Sequence, residues 1–323
     1  MWSDLSRVWN ALKRQASAPI EAQEAALLSE EEIADLANSL TLWRSNGAWK
    51  ERLSQALRQG RQTSRFRGSG MEYEESRPYQ AGDELRHMNW RLMARTGEAF
   101  SKRFEETRQS QWWVLLDSRE SMRFGTRKRL KVTQAARLAG ILAWIAQNEG
   151  LRLNLLRLDQ ELAHLPTLFG RNLFPQTMAF ANQACPASNR IRWPSLEAAL
   201  DHLLPKLKGG DRLWILSDFF DLSEQNLQRF SALSQSLNLH ALWLIDPVEK
   251  ALPEIPGMRL RSSETIDFQI QTPDQLAAYR TWAKAYFSDG ERALCQAGVE
   301  ASFIETTAEV EALLPILLRQ LEL

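Results

Sequence analysis

Cysteine is nearly absent. Cys185 and Cys295 are the two in 323 residues, each without a second cysteine near it, which excludes a CxxC metal knuckle and a disulfide framework and fits a reducing compartment. Histidine is scarce as well: His87, His164, His202 and His240 show neither HxxxH nor HExxH spacing, so a zinc enzyme has no support. Long apolar runs are missing. The longest, Leu138 to Ala146, is less than half of what a membrane span needs. The opening MWSDLSRVWNALKRQ scatters charges among its apolar residues, unlike a signal peptide. The expectation is a soluble, cytoplasmic protein with no membrane span. No GxxxxGK[ST], and no GxGxxG after a strand, occurs, so ATP binding by this chain is not expected. No GxSxG elbow occurs either, and Ser121 has no base identifiable in sequence to make it a nucleophile.

Net charge is lacking too. Lys+Arg 40 against Asp+Glu 40 leaves no bulk attraction to a polyanion. The zero hides blocks, however. Residues 44–67 carry Arg44, Lys50, Arg52, Arg58, Arg61, Arg65 and Arg67 against Glu51, a balance of +6, and residues 119–137 carry Arg119, Arg123, Arg127, Lys128, Arg129, Lys131 and Arg137 against Glu120, again +6. Residues 21–35 hold six acids and no cation. Such blocks are usually solvated faces, yet opposite blocks also steer partners. They keep nucleic-acid binding as an alternative, although no RRM, helix-turn-helix or KH pattern accompanies them.

What the chain does have is core. A hydrophobic content of 44% with 25% charged residues is an ordinary globular balance, which excludes disorder and fibrous classes. Residues 1–60 read as a helical N-terminal region: Trp2, Leu5, Val8, Trp9 and Leu12 recur at helical spacing, Ser29 with Glu32 forms a capping box, and a third helix spans 48–57. Residues 61–110 read as a β-rich module. In it Met71 to Tyr79 is a strand, Asp83 caps a helix from Glu84 to Arg95 that Thr96-Gly97 ends, and Ala99 to Phe104 is a second strand. From residue 111 onward, apolar strands at 112–117, 151–158, 212–218, 239–246 and 300–306 alternate with helices at 128–147, 195–207, 223–236, 273–296 and 310–321. That alternation predicts an α/β fold with a mostly parallel, doubly wound sheet.

Ligands of such sheets sit beyond the carboxyl ends of strands where strand order reverses. Two loops qualify: Asp117-Ser118-Arg119-Glu120-Ser121 and Ser217-Asp218-Phe219-Phe220-Asp221. If their strands are neighbours, Asp117 and Asp218 face one crevice beside Ser121, hard oxygen ligands of the kind Mg²⁺ or Mn²⁺ takes.

The run GSGMEYEESRPYQAGDELRHMNWRLMARTGEAFSKRFEE (68–106), followed by WVLLDSRESMRFG and WILSDFFD, resembles the DUF58 family from about residue 60 to residue 250. Its most specific part is Arg77, Tyr79, Gly82, Asp83, Arg86, Trp90 and Arg95. On their residue types these read as structural, Arg77 and Arg86 pairing with Asp83 and Glu84, and Trp90 anchoring a core. The resemblance implies a von Willebrand factor A-like, Rossmann-like sheet of strand order 3-2-1-4-5-6. It further implies an adaptor that works with a MoxR-type AAA+ ATPase on an unknown client protein. Many relatives carry two N-terminal membrane helices; none is read here.

The implied parent site holds a metal through an Asp-x-Ser-x-Ser loop, a Thr and a distant Asp. Asp117 and Ser121 match the ends of the first loop, Ser195 stands in for the Thr while also suiting a helix N-cap, and Asp218 matches the last position. Arg119 replaces the first Ser. A guanidinium cannot ligate a cation. It is expected either to swing out to solvent or to lie between Asp117 and Asp218 in place of the metal, making Asp117, Arg119, Ser121, Ser195 and Asp218 a docking edge for a partner's carboxylate. No catalytic residue is assigned and no cofactor is required. The alternative is a divalent-metal hydrolase using Asp117 and Asp218, with Mg²⁺ held by Asp117, Ser121 and Asp218.

Overall fold

The computed structural model describes residues 26–45, 70–80, 88–107, 110–183, 193–255, 259–261, 267–269 and 272–322. The helices expected at 2–12 and 48–57, the signature residues Gly82, Asp83 and Arg86, and Cys185 all lie outside the described residues. Helix α1 (Glu30–Ser45) opens on the expected capping box: Glu32 N donates to Ser29 Oγ at 3.1 Å and Ser29 N donates to Glu32 Oε2 at 2.8 Å. Just before it, Leu28 N donates to Asn182 Oδ1 and Asn182 Nδ2 donates back to Leu28 O. Leu28, Leu36 and Leu40 are thereby sunk into the main core.

Strands β1 (Gly70–Pro78) and β2 (Phe100–Thr107) form an antiparallel pair in which Arg77 lies opposite Ser101. Helix α2 (Trp90–Thr96) sits between them in sequence and ends, as expected, at Gly97 in the left-handed region, φ 76°. Of the helix expected from Glu84 to Arg95, residues 84–87 lie outside the described residues, and residues 88 and 89 are not helical. Asn89 N donates to Phe100 O at 2.7 Å, which ties that residue to the strand, and the Asn89 side chain then caps Leu92 N. Trp90, expected as a core anchor, is 60% exposed.

The remaining elements follow in chain order: β3 (Gln111–Asp117), α3 (Lys131–Asn148), β4 (Arg152–Leu158), β5 (Leu162–Leu168), α4 (Leu173–Ala181), α5 (Leu196–Leu203), β6 (Arg212–Ser217), α6 (Glu224–Ser234), β7 (Asn238–Ile245), a one-turn α7 (Pro247–Lys250), the small hairpin β8 (Arg259–Arg261) and β9 (Asp267–Gln269), α8 (Pro273–Gln296), β10 (Val299–Glu305) and α9 (Val310–Glu322). The main sheet has the order β10-β7-β6-β3-β4-β5, which is 3-2-1-4-5-6 when its strands are numbered along the chain. All neighbours are parallel except β5, which runs antiparallel to β4.

Helices cover both faces. Residues of α1, α3, α4 and α9 share one core with Val114, Leu116, Trp214 and Leu242, while residues of α5, α6 and α8 share the other with Leu115, Ile215, Ala241 and Trp243. Alternate residues of each central strand therefore enter different cores, and β3 and β6 are buried along their whole length, as strands covered on both faces must be. In α8, a Cβ at Gly290 would lie 2.5 Å from the Trp243 ring, so this glycine is what lets the indole approach the helix. The strand order reverses between β3 and β6, whose carboxyl ends stand side by side with Leu116 opposite Leu216.

Candidate functional site

Beyond those two ends the chain concentrates charge. Asp117 ends β3, and the extended Arg119 (φ −67°, ψ 171°) leads into the 3₁₀ turn Glu120–Arg123. Its guanidinium turns back. Arg119 Nε donates to Asp117 Oδ1 at 3.0 Å and Nη2 to Asp117 Oδ2 at 2.8 Å. On its other edge Nη1 donates to Asp221 Oδ2 at 2.6 Å and Nη2 to Asp221 Oδ1 at 2.8 Å, with Pro194 O taking the last donor at 3.5 Å. Five N–H groups thus meet five acceptors, a bidentate fork on each side. Burial disfavours the charge, but Asp117 and the bonds to Asp221 and Asp117 outweigh it, and the guanidinium pKa is raised.

The sequence expectation set Arg119 between Asp117 and Asp218. The second carboxylate is instead that of Asp221, at the far end of the same loop, whose pKa is lowered against its burial by the hydrogen bonds and charge of Arg119 and by Leu196 N. Asp218 faces a different cation. Lys131 Nζ donates to Asp218 Oδ2 at 2.8 Å and to Glu249 Oε1 at 3.0 Å, and the lysine side chain has no exposed surface. Burial again opposes the charge, Asp218 and Glu249 overcome it, and the ammonium pKa is raised. Ser121 Oγ donates to Asp218 Oδ1 at 3.2 Å, and Ser217 Oγ donates to Asp117 Oδ2 at 2.6 Å.

The sequence-selected residues do converge. Asp117 and Arg119 are in direct contact, as are Ser121 and Asp218, while Ser195 reaches the cluster through its neighbours Pro194 and Leu196. The Ser195 hydroxyl itself caps α5 by accepting from Ala198 N at 3.1 Å. Asp221, Lys131, Glu249 and Ser217 belong to the same network and were not among the selected residues.

The backbone between Asp218 and Asp221 is strained. Phe219 has φ 49°, the left-handed region that a bulky residue seldom occupies. Phe219 N donates to Ser217 Oγ and Phe220 N to Asp218 Oδ1, which hold the turn. Its result is a split pair of rings: Phe219 is fully buried with its ring centroid 5.3 Å from that of Trp243, and Phe220 is 38% exposed. Phe220 then lines a crevice of about 300 Å³ together with Trp193, Pro194, Ser195, Asp221 and residues 119–121. The Arg123 guanidinium lies over the Trp193 ring at 5.2 Å.

These donors do not suit the divalent ion that the parent site would hold. Carboxylate oxygens a metal would need are occupied by a guanidinium on Asp117 and by an ammonium on Asp218, and a cation entering between them would meet two fixed positive charges. Among the described residues no group of three or more His, Cys, Asp or Glu side chains is arranged to hold a metal. The basic block 119–137 is likewise largely spent inside the fold. Arg119 and Lys131 are buried in this network, and Lys128, Arg129 and Arg137 all converge on Glu309.

The family model described as "Protein of unknown function DUF58" matches residues 75–287. The chain belongs to the DUF58 family. The match takes in the signature residues 77–95, most of the main sheet, and Asp117, Arg119, Ser121, Lys131, Ser217, Asp218, Asp221 and Glu249. Curated relatives include an uncharacterized protein of Mycobacterium bovis and uncharacterized proteins of two Mycobacterium tuberculosis strains, each 29% identical over 203 residues. The aligned stretch is 61% of this chain, and the chain spans 62% of the length of these relatives. Among the described residues of this DUF58 chain, no helix is long and apolar enough to cross a membrane.

Proposed function

We propose that this chain is a non-enzymatic interaction protein, a von Willebrand A-like adaptor that works with a MoxR-type AAA+ ATPase in the cytoplasm to remodel or mature a client protein. The observation that carries this reading is the saturated Arg119. A guanidinium with each donor engaged by Asp117, Asp221 and Pro194 is a rigid element rather than a reactive one. It braces the site where a doubly wound sheet presents its loops to ligands. Ser121 donates to Asp218, and Asp218 accepts from Lys131 as well, so neither is poised as nucleophile or base. A preformed crevice with fixed groups suits binding.

The test is reconstitution with a defined partner. The purified chain and a MoxR-type AAA+ ATPase encoded in the same genome are mixed, and complex formation is followed by analytical ultracentrifugation alongside ATP hydrolysis by the ATPase. A stoichiometric complex with altered ATP turnover is expected. Absence of a complex at micromolar concentrations of both proteins, with and without ATP, overturns the partnership.

A further inference from the structure

The crevice at the switch point is lined by charged as well as apolar side chains. We propose that it takes an aromatic or large aliphatic side chain from a partner segment that is itself basic. The inference rests on the interaction role proposed above and names the chemistry of the partner.

Three observations lead there. First, Arg119 has no donor left for an incoming carboxylate, because Asp117, Asp221 and Pro194 take them all. Second, among the described residues the network beneath the crevice and the cation on its wall set four carboxylates, Asp117, Asp218, Asp221 and Glu249, against three cations, Arg119, Lys131 and Arg123. The surplus is negative. Asp221 also keeps 24% of its side chain exposed and lines the crevice, as does Glu120. An acidic partner group would be repelled from this mouth and a lysine or arginine drawn to it. Third, the apolar lining comes from Trp193, Pro194 and Phe220, and Phe220 is held outward by the strained turn at Phe219. Strain retained at one residue to present the next is found at binding sites. Arg123 braces Trp193 from above its ring, which fixes the indole in place. A volume of about 300 Å³ accommodates one large side chain.

The test uses synthetic peptides on the full chain. Fluorescein-labelled Lys-Leu-Trp-Lys, Glu-Leu-Trp-Glu and Lys-Ala-Ala-Lys are titrated and followed by polarisation at low and moderate salt. Lys-Leu-Trp-Lys should bind, the acidic peptide at least about tenfold more weakly, and the peptide without an anchor weakly or not at all. Trp193→Ala and, separately, Phe220→Ser should each lower affinity about tenfold with near-ultraviolet circular dichroism retained. Phe220, already at the surface, serves where Trp193→Ala fails to fold. Glu120→Lys should reduce the preference for the basic peptide. Equal binding of basic and acidic peptides, undiminished binding by Phe220→Ser, or no binding of Lys-Leu-Trp-Lys at millimolar concentration overturns the inference. The two proposals fail separately. A complex with the ATPase that persists in Phe220→Ser removes the crevice and keeps the adaptor, whereas charge-selective peptide binding without any ATPase complex does the reverse.

Discussion

Lys131 and Asp218 form an ion pair of 2.8 Å with 0% and 2% of their side chains exposed. The pair sits where the family resemblance places a metal-binding carboxylate, and it comes with a second buried cation, Arg119, on Asp117. Two protein cations thus balance buried carboxylates beyond two strand ends. Buried pairs of this kind add little net stability over a well-packed apolar replacement, but loss of one partner strands a charge.

Lys131→Met should therefore destabilise the fold by about 3–5 kcal/mol, since Asp218 and Glu249 are left facing each other without a cation. Urea unfolding at neutral pH measures it. The double variant Lys131→Met, Asp218→Asn should recover part of the loss, because one stranded charge is gone; no recovery would show that the ion pair is not the source.

Arg119→Lys is expected to behave as a loss rather than a conservative change. A lysine offers three donors without the planar fork and cannot grip Asp117 and Asp221 bidentately. A destabilisation of about 2 kcal/mol is expected, short of the about 3–5 kcal/mol for outright loss of one partner because the lysine keeps its charge. Because Asp221 has a lowered pKa in the fold, its contribution is complete above the ordinary aspartate range and lost as pH falls through the lowered value. The wild type should lose that increment in acid, and Arg119→Lys should show less of it.

Metal should be neither required nor felt. Thermal unfolding of the purified chain is expected to be unchanged by EDTA and by added Mn²⁺, since a ligand specific for the native state would raise the midpoint. A clear rise with Mn²⁺ that disappears in Asp218→Ala would contradict the geometry of the network.

His240 supplies a separate pH dependence. It stacks on Trp214 with ring centroids 4.3 Å apart and lies 3.2 Å from the Glu300 carboxylate. Burial lowers its pKa to about 4, Glu300 working against the shift and Arg212 with it. The unfolded chain takes up this proton first, so the contribution is whole above the ordinary histidine value and is lost as pH falls toward about 4. The loss amounts to up to about 3 kcal/mol. His240→Phe should flatten the stability curve between about pH 4 and 6.5.

Gly290→Ala should destabilise the chain although alanine favours helix by about 1 kcal/mol. The new methyl would meet Trp243 at 2.5 Å, and Trp243 is itself enclosed by Phe219, Phe287 and Phe303. Overpacking of that kind costs about 1–3 kcal/mol. Calorimetry on the single variant decides whether propensity or packing prevails.

Much of the architecture was readable from pattern. Strands buried on both faces appear as continuous apolar runs, so β3, β6 and β7 stood out, and the Ser29–Glu32 box marked α1 because capping is local chemistry. β5 escaped notice. As the sheet's antiparallel edge it is half-exposed along most of its length and includes His164, Pro166 and Thr167, so neither a run nor an alternation survives in its sequence. At the site, Asp117 and Arg119 were legible because they are two residues apart on one loop. Lys131 and Glu249 were not, since 118 residues separate them and each has the look of a solvated helix charge. Asp221 stood in a loop already singled out, but nothing in its spacing could say that the guanidinium would choose it over Asp218.

The network also bears on how this chain holds together over time. Arg119 reaches Asp221 across 102 positions, and Lys131 reaches Asp218 and Glu249 across 87 and 118. Such long closures need the ends of β3, β6 and β7 to be aligned first, so they are expected to form late in folding, on the native side of the barrier. Contacts made on the native side of a barrier leave the folding rate almost untouched and slow escape from the native state. The cluster of charge at the switch point should therefore act as a clasp, setting the lifetime of the folded molecule more than the speed at which it is reached.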